Sequence, residues 1–281
     1  MTIYDYATPF LEKYEPTESY YEKCYNQNKE VYDYYFAGHC RDKELKLKKA
    51  LAEHPKMLEQ MQWVATNIPP LVKKITSKYE QVFPVKFTQD VYIFVGLGGS
   101  NAYTYRSMDP HIAFCVEKLE AEEGALQVII AHEYGHALHH KFTTYSGIAA
   151  SAIDCYSPYT WLLQEGMATY LSMQVVDAPR DIYFAYTRDA EWLTFCEENQ
   201  SQIISAFLHD LAESSPTELL KEWFSINGGT TFDYTRLAYY IGTALVKSFV
   251  EEFGIEQTMT LWGRQDFKEY IQQRLEVLLN S

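Results

Sequence analysis

The chain has 281 residues, of which 47% are hydrophobic and 22% are charged, a composition typical of a globular protein with a large buried core. Its formal net charge of −14 argues against nucleic acid and anionic membrane as partners, because both bind through a basic surface. No uninterrupted apolar run approaches 18 residues, so no membrane-spanning helix is predicted.

The cysteines and the N-terminal residues indicate the cellular compartment in which the protein is expected. The five cysteines are scattered, odd in number and without C-x-x-C spacing, which argues against a disulfide framework and against a thiolate zinc site. The first residues show no basic segment followed by an apolar run, so no secretory signal is predicted. A cytoplasmic location is therefore the default expectation.

Residues 1–80 are predicted to form a helical N-terminal region. The tetrapeptide Ser19–Glu22 is a candidate capping box at the start of a tyrosine-rich helix, and Gly38 is its candidate end. Pro69-Pro70 is predicted to break or kink the last helical pattern of the region. A cleft wall, a lid and a dimer surface are all open roles for this region, and no oligomeric state is predicted.

A small β-sheet is predicted next. The segments Val85–Phe87, Asp90–Val95 and His111–Glu117 are rich in β-branched and aromatic residues, which favours strands. Between them, Gly96–Asn101 is predicted to be a loop whose glycines serve turn geometry, because it does not match the phosphate-binding pattern G-x-x-x-x-G-K-[ST].

The segment Ala125–Phe142 reads as one helix and contains the pattern His-Glu-x-x-His. Residues four apart share a helix face, so the imidazoles of His132 and His136 can point at one metal ion. Glu133 lies about 100° round the helix from His132 and borders the same site. Two imidazoles suit zinc, and a neighbouring carboxylate suits a general base that acts on zinc-bound water.

Chance alone produces such a pattern in a chain of this composition with a probability of about 3% or less. The context favours a metal site, because two histidines and a glutamate among Val, Ile and Ala would be costly to bury without partners. A single zinc ion accounts for all three residues.

Catalytic zinc sites usually take three protein ligands and a water, so a third ligand is needed. His140 lies too far along the helix from His132 to share its metal. The longer pattern H-E-x-x-H-x-x-G-x-x-H fails, because His139 replaces its glycine and Phe142 replaces its last histidine. Both extra histidines are interpreted as a surface or second-layer feature.

A carboxylate on a later helix is the other source of a third ligand. The candidates are Asp154, Glu165 and Asp177. Glu165 is favoured, because small residues at its flank would let its helix pack closely on the His-Glu-x-x-His helix; they are Gly166, Ala168 and Ser172. Asp154, in a predicted loop, is the alternative ligand, and Glu165 could instead be an ordinary surface charge.

The remainder of the chain is predicted to be helical over Pro158–Val175, Arg188–Glu213, Phe232–Phe253 and Gln265–Leu278. The overall prediction is thus an α+β fold that is mostly helical. It divides into the N-terminal region of residues 1–80 and a second part of residues 81–281, and the two could form one compact unit.

The motifs HEYGH (132–136) and EGMATY (165–170) resemble those of the gluzincins, metallopeptidases whose zinc is bound by two histidines and a glutamate from a second helix. More narrowly, they resemble the predicted zinc-dependent proteases of the DUF2268 family. The segment Arg236–Gly242 is similar to a tyrosine-glycine helix of that family, and the resemblance covers about Pro84–Gly254. It implies a zincin-like catalytic core, in which a small sheet precedes the active-site helix and a helical C-terminal part follows.

The resemblance also implies hydrolysis of peptide bonds with one zinc per chain, held by His132, His136 and Glu165, and a peptide or protein substrate. Glu133 would be the general base. One departure concerns the aspartate that thermolysin-like gluzincins carry four residues after the ligand glutamate, since this chain has Thr169 there. Asp154, Thr169 or a backbone carbonyl could orient a ligand histidine instead.

The developing oxyanion needs a donor besides zinc. Tyr239 is the first candidate and Tyr240 the second, with Arg236 as a possible anchor for a carboxylate or carbonyl, although a tyrosine on an apolar helix is usually a core residue. Two other functions stay open: a zinc hydrolase of a non-peptide amide, and a metal-stabilised binding protein without turnover. A structural zinc site has four protein ligands and no use for a base, so Glu133 argues against the binding protein.

Overall fold

The computed structural model describes residues 1–105 and 110–280. The chain divides into two compact units, Met1–Glu133 and Tyr134–Ser281. The boundary falls within helix α6 (Glu123–Tyr145), which continues without interruption from the first unit into the second.

In the first unit, the chain between the first and second strands of the sheet forms helices α1 (Ala7–Glu12), α2 (Glu18–Gln27), α3 (Lys29–Gly38), α4 (Lys43–Glu53) and α5 (Leu58–Val82). Thr17 caps α2, because its backbone is extended and its hydroxyl accepts a hydrogen bond from the Tyr20 amide at 3.3 Å. The predicted capping box at Ser19 is therefore wrong. The tyrosine-rich stretch forms two helices separated at Asn28, and the second ends at Gly38 as predicted.

Pro69-Pro70 does not break its helix. Helix α5 runs for 25 residues with both prolines inside it. A proline in a helix interior costs about 3 kcal/mol. Burial of the apolar face of α5 offsets this cost, since each fully buried aliphatic side chain contributes about 1.5–3 kcal/mol; that face includes Val64, Ile68, Leu71, Val72 and Ile75.

The sheet has strands β1 (Ile3–Asp5), β2 (Val91–Phe94), β3 (Ala102–Thr104) and β4 (Ile112–Cys115), in the order β1-β2-β4-β3. Strand β2 is parallel to β1 and to β4, whereas β3 is antiparallel to β4. The strands predicted within Asp90–Val95 and His111–Glu117 are confirmed, while Val85–Phe87 forms no strand. Strands β1 and β3 were not predicted, because three residues are too few to show an alternating pattern.

The glycine loop, Gly96–Asn101, is held by the protein's own acceptors. Its amides at Gly96 and Gly98 donate to the Glu117 carboxylate at 2.8 and 2.9 Å, and two more donate to the Tyr35 hydroxyl at 2.9 Å. Burial raises the pKa of Glu117, while these amides act in the opposite direction. The loop therefore serves the packing of the first unit, in keeping with the prediction that its glycines serve turn geometry.

The second unit is helical. After α6 come α7 (Pro158–Val175), α8 (Ile182–Ala185), α9 (Ala190–Glu198), α10 (Gln200–Glu213), α11 (Pro216–Leu219), α12 (Leu237–Phe253), α13 (Ile255–Thr258) and α14 (Phe267–Leu279), with a π-helical turn at Leu220–Phe224. Helix α7 has the predicted bounds. The predicted helix Arg188–Glu213 is divided at Asn199 into α9 and α10, and Phe232–Phe253 is helical only from Leu237.

The mostly helical chain with its four-stranded mixed sheet is an α+β protein, as predicted. Within residues 1–105 and 110–280, helices long and apolar enough to cross a lipid bilayer are lacking.

Candidate metal centre

Helix α6 holds the His-Glu-x-x-His pattern. It begins at Glu123, and the carboxylate of Glu122 caps it by accepting hydrogen bonds from the amides of Gly124 and Ala125 at 2.9 and 2.6 Å. A negative charge at this position also suits the partial positive charge of a helix N-terminus. Further along, the Tyr79 hydroxyl donates to the Ala131 carbonyl at 2.7 Å. These contacts anchor the first part of α6, up to the residue before His132.

The three polar residues of the pattern are deeply buried. His132, Glu133 and His136 are exposed by 3%, 6% and 6%, and their apolar neighbours on α6 are buried as well. Polar groups in such surroundings need partners, since burial without them costs several kcal/mol. The helix therefore concentrates two imidazoles and a carboxylate in a largely apolar interior.

Glu165 of α7 comes close to His136, since its Oε2 lies 3.5 Å from His136 Nε2. With His132, these residues form a group in which one ligand atom from each lies within 4.8 Å of the others. Two ligands bound tetrahedrally to one zinc at about 2.1 Å are separated by roughly 3.4 Å. The imidazole–carboxylate distance matches that separation, and two nitrogens with one oxygen are a donor set that zinc accepts. The residues fit a zinc ion.

Two close helix contacts set the position of Glu165. A Cβ atom on Gly135 of α6 would lie 2.9 Å from the Cα of Ala168 on α7, and a Cβ on Gly166 would lie 2.2 Å from the carbonyl of Gly242 on α12. Glycine is thus required at positions 135 and 166. The expected contact between α7 and α6 is made through Ala168, whereas Gly166 faces α12 instead.

Two of the other predicted metal candidates lie in different environments. Asp154 is exposed and accepts a hydrogen bond from the Lys268 ammonium at 3.1 Å, which holds the pKa of the carboxyl below its usual range. The His139 ring is fully buried and stacks on Trp262 with centroids 3.6 Å apart. Burial holds the pKa of His139 well below its usual value. His139 is therefore buried in the core, so of the two predicted alternatives, a surface or a second-layer feature, the surface feature is wrong for this residue.

A threonine of the sheet holds the carboxylate of Glu133. Thr104 Oγ1 lies 2.7 Å from Glu133 Oε2 and 3.1 Å from the Glu133 carbonyl oxygen. Since the hydroxyl carries one hydrogen, the shorter contact to the carboxylate is the stronger bond. Thr104 ends β3, so the sheet and the helix meet at the candidate base.

The three residues predicted around the oxyanion are at the start of α12. Tyr239 is half-buried, three residues before Gly242, where α12 touches α7. The Tyr240 ring is 8% exposed and packs against the rings of Phe184 and Trp192.

Arg236 precedes the helix with φ of 58°. Its Nη1 donates to the Ala185 carbonyl at 3.3 Å. Thr169, at the position of the thermolysin-type aspartate, is fully buried on α7.

Two residues of the centre escaped sequence reasoning. Gly135 lies inside the motif, and a glycine at that point of a buried helix is a signal of close helix approach. The sequence around Thr104 does not indicate its role, because Thr104 lies in a strand of three residues and its hydrogen-bond partner, Glu133, is 29 positions away.

No family model matches the chain, and searches of the curated proteins and of the solved structures return no significant match. The resemblance to the gluzincins, and to DUF2268 among them, therefore remains a prediction from the two motifs.

Proposed function

We propose that this chain is a zinc-dependent peptidase. The observation that carries the proposal is the group of His132, His136 and Glu165, in which both histidines are buried and Glu165 is partly exposed, with the buried Glu133 next to His132 in the chain. Three ligands and an adjacent carboxylate match what a catalytic zinc site needs, whereas a structural site would use a fourth protein ligand in place of the base.

The residues of the site have separate tasks in this reaction. His132, His136 and Glu165 would hold the zinc ion, which would supply a bound water with a pKa lowered to about 7. Glu133 would take a proton from the attacking water and deliver it to the leaving nitrogen. His132, Glu133 and His136 are almost fully buried, and low exposure to bulk water strengthens their electrostatic interactions.

The strand that holds Thr104 favours a peptide over a compact amide. Strand β3 ends the sheet order within the described residues, and Thr104 itself is only partly buried. The outer side of such a strand offers backbone donors and acceptors to an added extended chain. Because Thr104 bonds to Glu133, a peptide paired there would run beside the base.

Metal content tests the ligand set. Natively purified protein is expected to contain one zinc per chain, and Glu165→Ala to contain much less. Gln164→Ala, one position earlier on α7, is the control and should retain its zinc. Zinc retained in Glu165→Ala would remove Glu165 as a ligand, and a wild type that takes up no supplied zinc would overturn the proposal.

A second variant tests turnover. Glu133→Gln preserves the shape of the side chain but removes the base, so it should retain zinc and lose nearly all hydrolysis of a peptide library. Hydrolysis that survives in this variant would contradict the mechanism. A zinc-loaded wild type that cleaves small amides but no peptide would favour the non-peptide hydrolase, and one that cleaves neither would favour a metal-stabilised binding protein.

A further inference from the structure

The hydroxyl of Thr104 is held by the sheet independently of the helix that carries Glu133. Thr104 pairs with Ile112 in the antiparallel ladder of β3 and β4. The next residue continues this pairing, since the Tyr105 amide donates to the His111 carbonyl at 2.8 Å. A β-branched side chain in a strand also has few rotamers. The donor is thus fixed by its own backbone.

The bond from Thr104 restricts how the Glu133 carboxylate can lie. A glutamate side chain has three rotatable bonds, and ordering them costs conformational entropy. A charge-assisted hydrogen bond of 2.7 Å to Oε2 selects one arrangement before substrate arrives. Thr104 is bonded to Oε2 and so does not occupy Oε1.

We propose that Thr104 is a positioning residue that holds Glu133 in the orientation required of a general base. This inference rests on the proposed hydrolase function, since it assigns Thr104 a part in that reaction. Thr104 acts through Glu133 and needs no contact with substrate or metal.

Steady-state kinetics test the role. Thr104→Val replaces the hydroxyl with a methyl group of similar size, and we expect kcat to fall about 10-fold, the value of one hydrogen bond, while KM changes less than about 2-fold. Thr104→Ser keeps the hydroxyl and should restore most of kcat. Both variants should bind zinc as the wild type does. A merely structural defect would not be rescued by serine, which lacks the methyl group.

A measurement on zinc-free protein gives a readout independent of activity. Urea unfolding of wild type, Thr104→Val, Glu133→Gln and the double variant forms a cycle that reports the coupling of the two side chains. Thr104→Val should lower the urea midpoint in the wild-type background. It should lower the midpoint clearly less in the Glu133→Gln background, where the acceptor is an uncharged amide oxygen and the hydrogen bond is weaker. Thr66→Val is the control, because the Thr66 hydroxyl donates to the Gln62 carbonyl within α5.

The outcomes separate the two proposals. A kcat of Thr104→Val equal to that of the wild type would overturn the positioning role alone. Additive effects of Thr104→Val and Glu133→Gln on urea unfolding would do the same. A zinc-loaded wild type without any hydrolytic turnover overturns the proposed function and the positioning role together. The inference is supported if Thr104→Val lowers kcat, Thr104→Ser restores most of it, and the effects of Thr104→Val and Glu133→Gln on urea unfolding are not additive.

Discussion

At the scale of single residues, two adjacent tyrosines of α12 have different surroundings. Tyr240 lies in an aromatic cluster with Phe184 and Trp192, and burial raises the pKa of its hydroxyl. Tyr239 is half-buried and belongs to the turn that leads into Gly242, at the contact with the helix of Glu165. Tyr239 is therefore the better candidate for an oxyanion donor.

Removal of each hydroxyl distinguishes the two tyrosines. Tyr239→Phe is expected to lower kcat by about 10²–10³-fold, because an oxyanion donor is lost from a site of low polarity. Tyr240→Phe keeps the packed ring and should leave kcat within about 2-fold of the wild type. The kcat of peptide hydrolysis is measured for the two zinc-loaded variants and the wild type. A Tyr239→Phe variant as active as the wild type would show that Tyr239 takes no part in the mechanism.

His54 gives the protein a sensitivity to acid. Its Nδ1 lies 2.8 Å from the Tyr21 hydroxyl, and burial lowers the pKa of the imidazole from 6.5 to about 4. Below pH 6.5 the His54 imidazole therefore becomes protonated in the unfolded chain but stays neutral in the folded one, until the pH approaches 4. Stability from this residue is complete above pH 6.5 and falls as the pH drops towards 4.

Between pH 7.5 and pH 5, this linkage corresponds to a loss of about 2 kcal/mol in the free energy of unfolding. His54→Asn cannot take up that proton and should lose correspondingly less than the wild type, as measured by urea unfolding at the two pH values. His209→Asn, at an exposed position of α10, is the control and should behave as the wild type does. An identical pH dependence of His54→Asn and wild type would contradict the assignment.

At the scale of elements, close contact between α7 and α12 positions Glu165, the proposed third ligand. Alanine normally stabilises a helix interior by about 1 kcal/mol relative to glycine. At position 166, however, its Cβ would lie 2.2 Å from the backbone of Gly242, which cannot move aside as a side chain can. Overpacking of this kind costs about 1–3 kcal/mol or more, so sterics outweigh helix propensity.

Gly166→Ala is therefore expected to lower the free energy of unfolding by at least about 1 kcal/mol and to reduce zinc content, because it displaces the helix that bears Glu165. Gly38→Ala is the control, since a Cβ there meets nothing within 4 Å. Chemical denaturation and metal analysis report the two effects. Normal stability and normal zinc in Gly166→Ala would show that the helices can separate without cost.

The elements also show what sequence could and could not predict. Helix α7 and the motif on α6 were found because long helices contain repeated apolar and small residues. The small residues of α7 indicated close packing, but not that Gly166 would meet α12 while Ala168 meets α6. Strand β3 and its Thr104–Glu133 bond could not be predicted, because three residues carry no period and the contact depends on tertiary structure.

At the scale of the whole molecule, a bound metal would couple the site to folding. The proposed ligands come from two helices and gather only in the folded chain, so zinc should bind the native state in preference to the unfolded one. At a free zinc concentration about 1,000 times Kd, such binding stabilises a protein by about 4 kcal/mol. For a chain of this size, each kcal/mol raises the melting temperature by roughly 2 °C.

Removal of zinc with a chelator is therefore expected to lower the melting temperature of the wild type by about 8 °C, and added zinc should restore it. Glu165→Ala lacks a ligand and should melt at nearly the same temperature with or without chelator, whereas Gln164→Ala should respond as the wild type does. Differential scanning calorimetry at matched protein concentration measures the shift. A wild type whose melting is unaffected by chelator, although zinc is removed, would show that zinc does not bind the folded chain more tightly than the unfolded one, and would contradict this coupling.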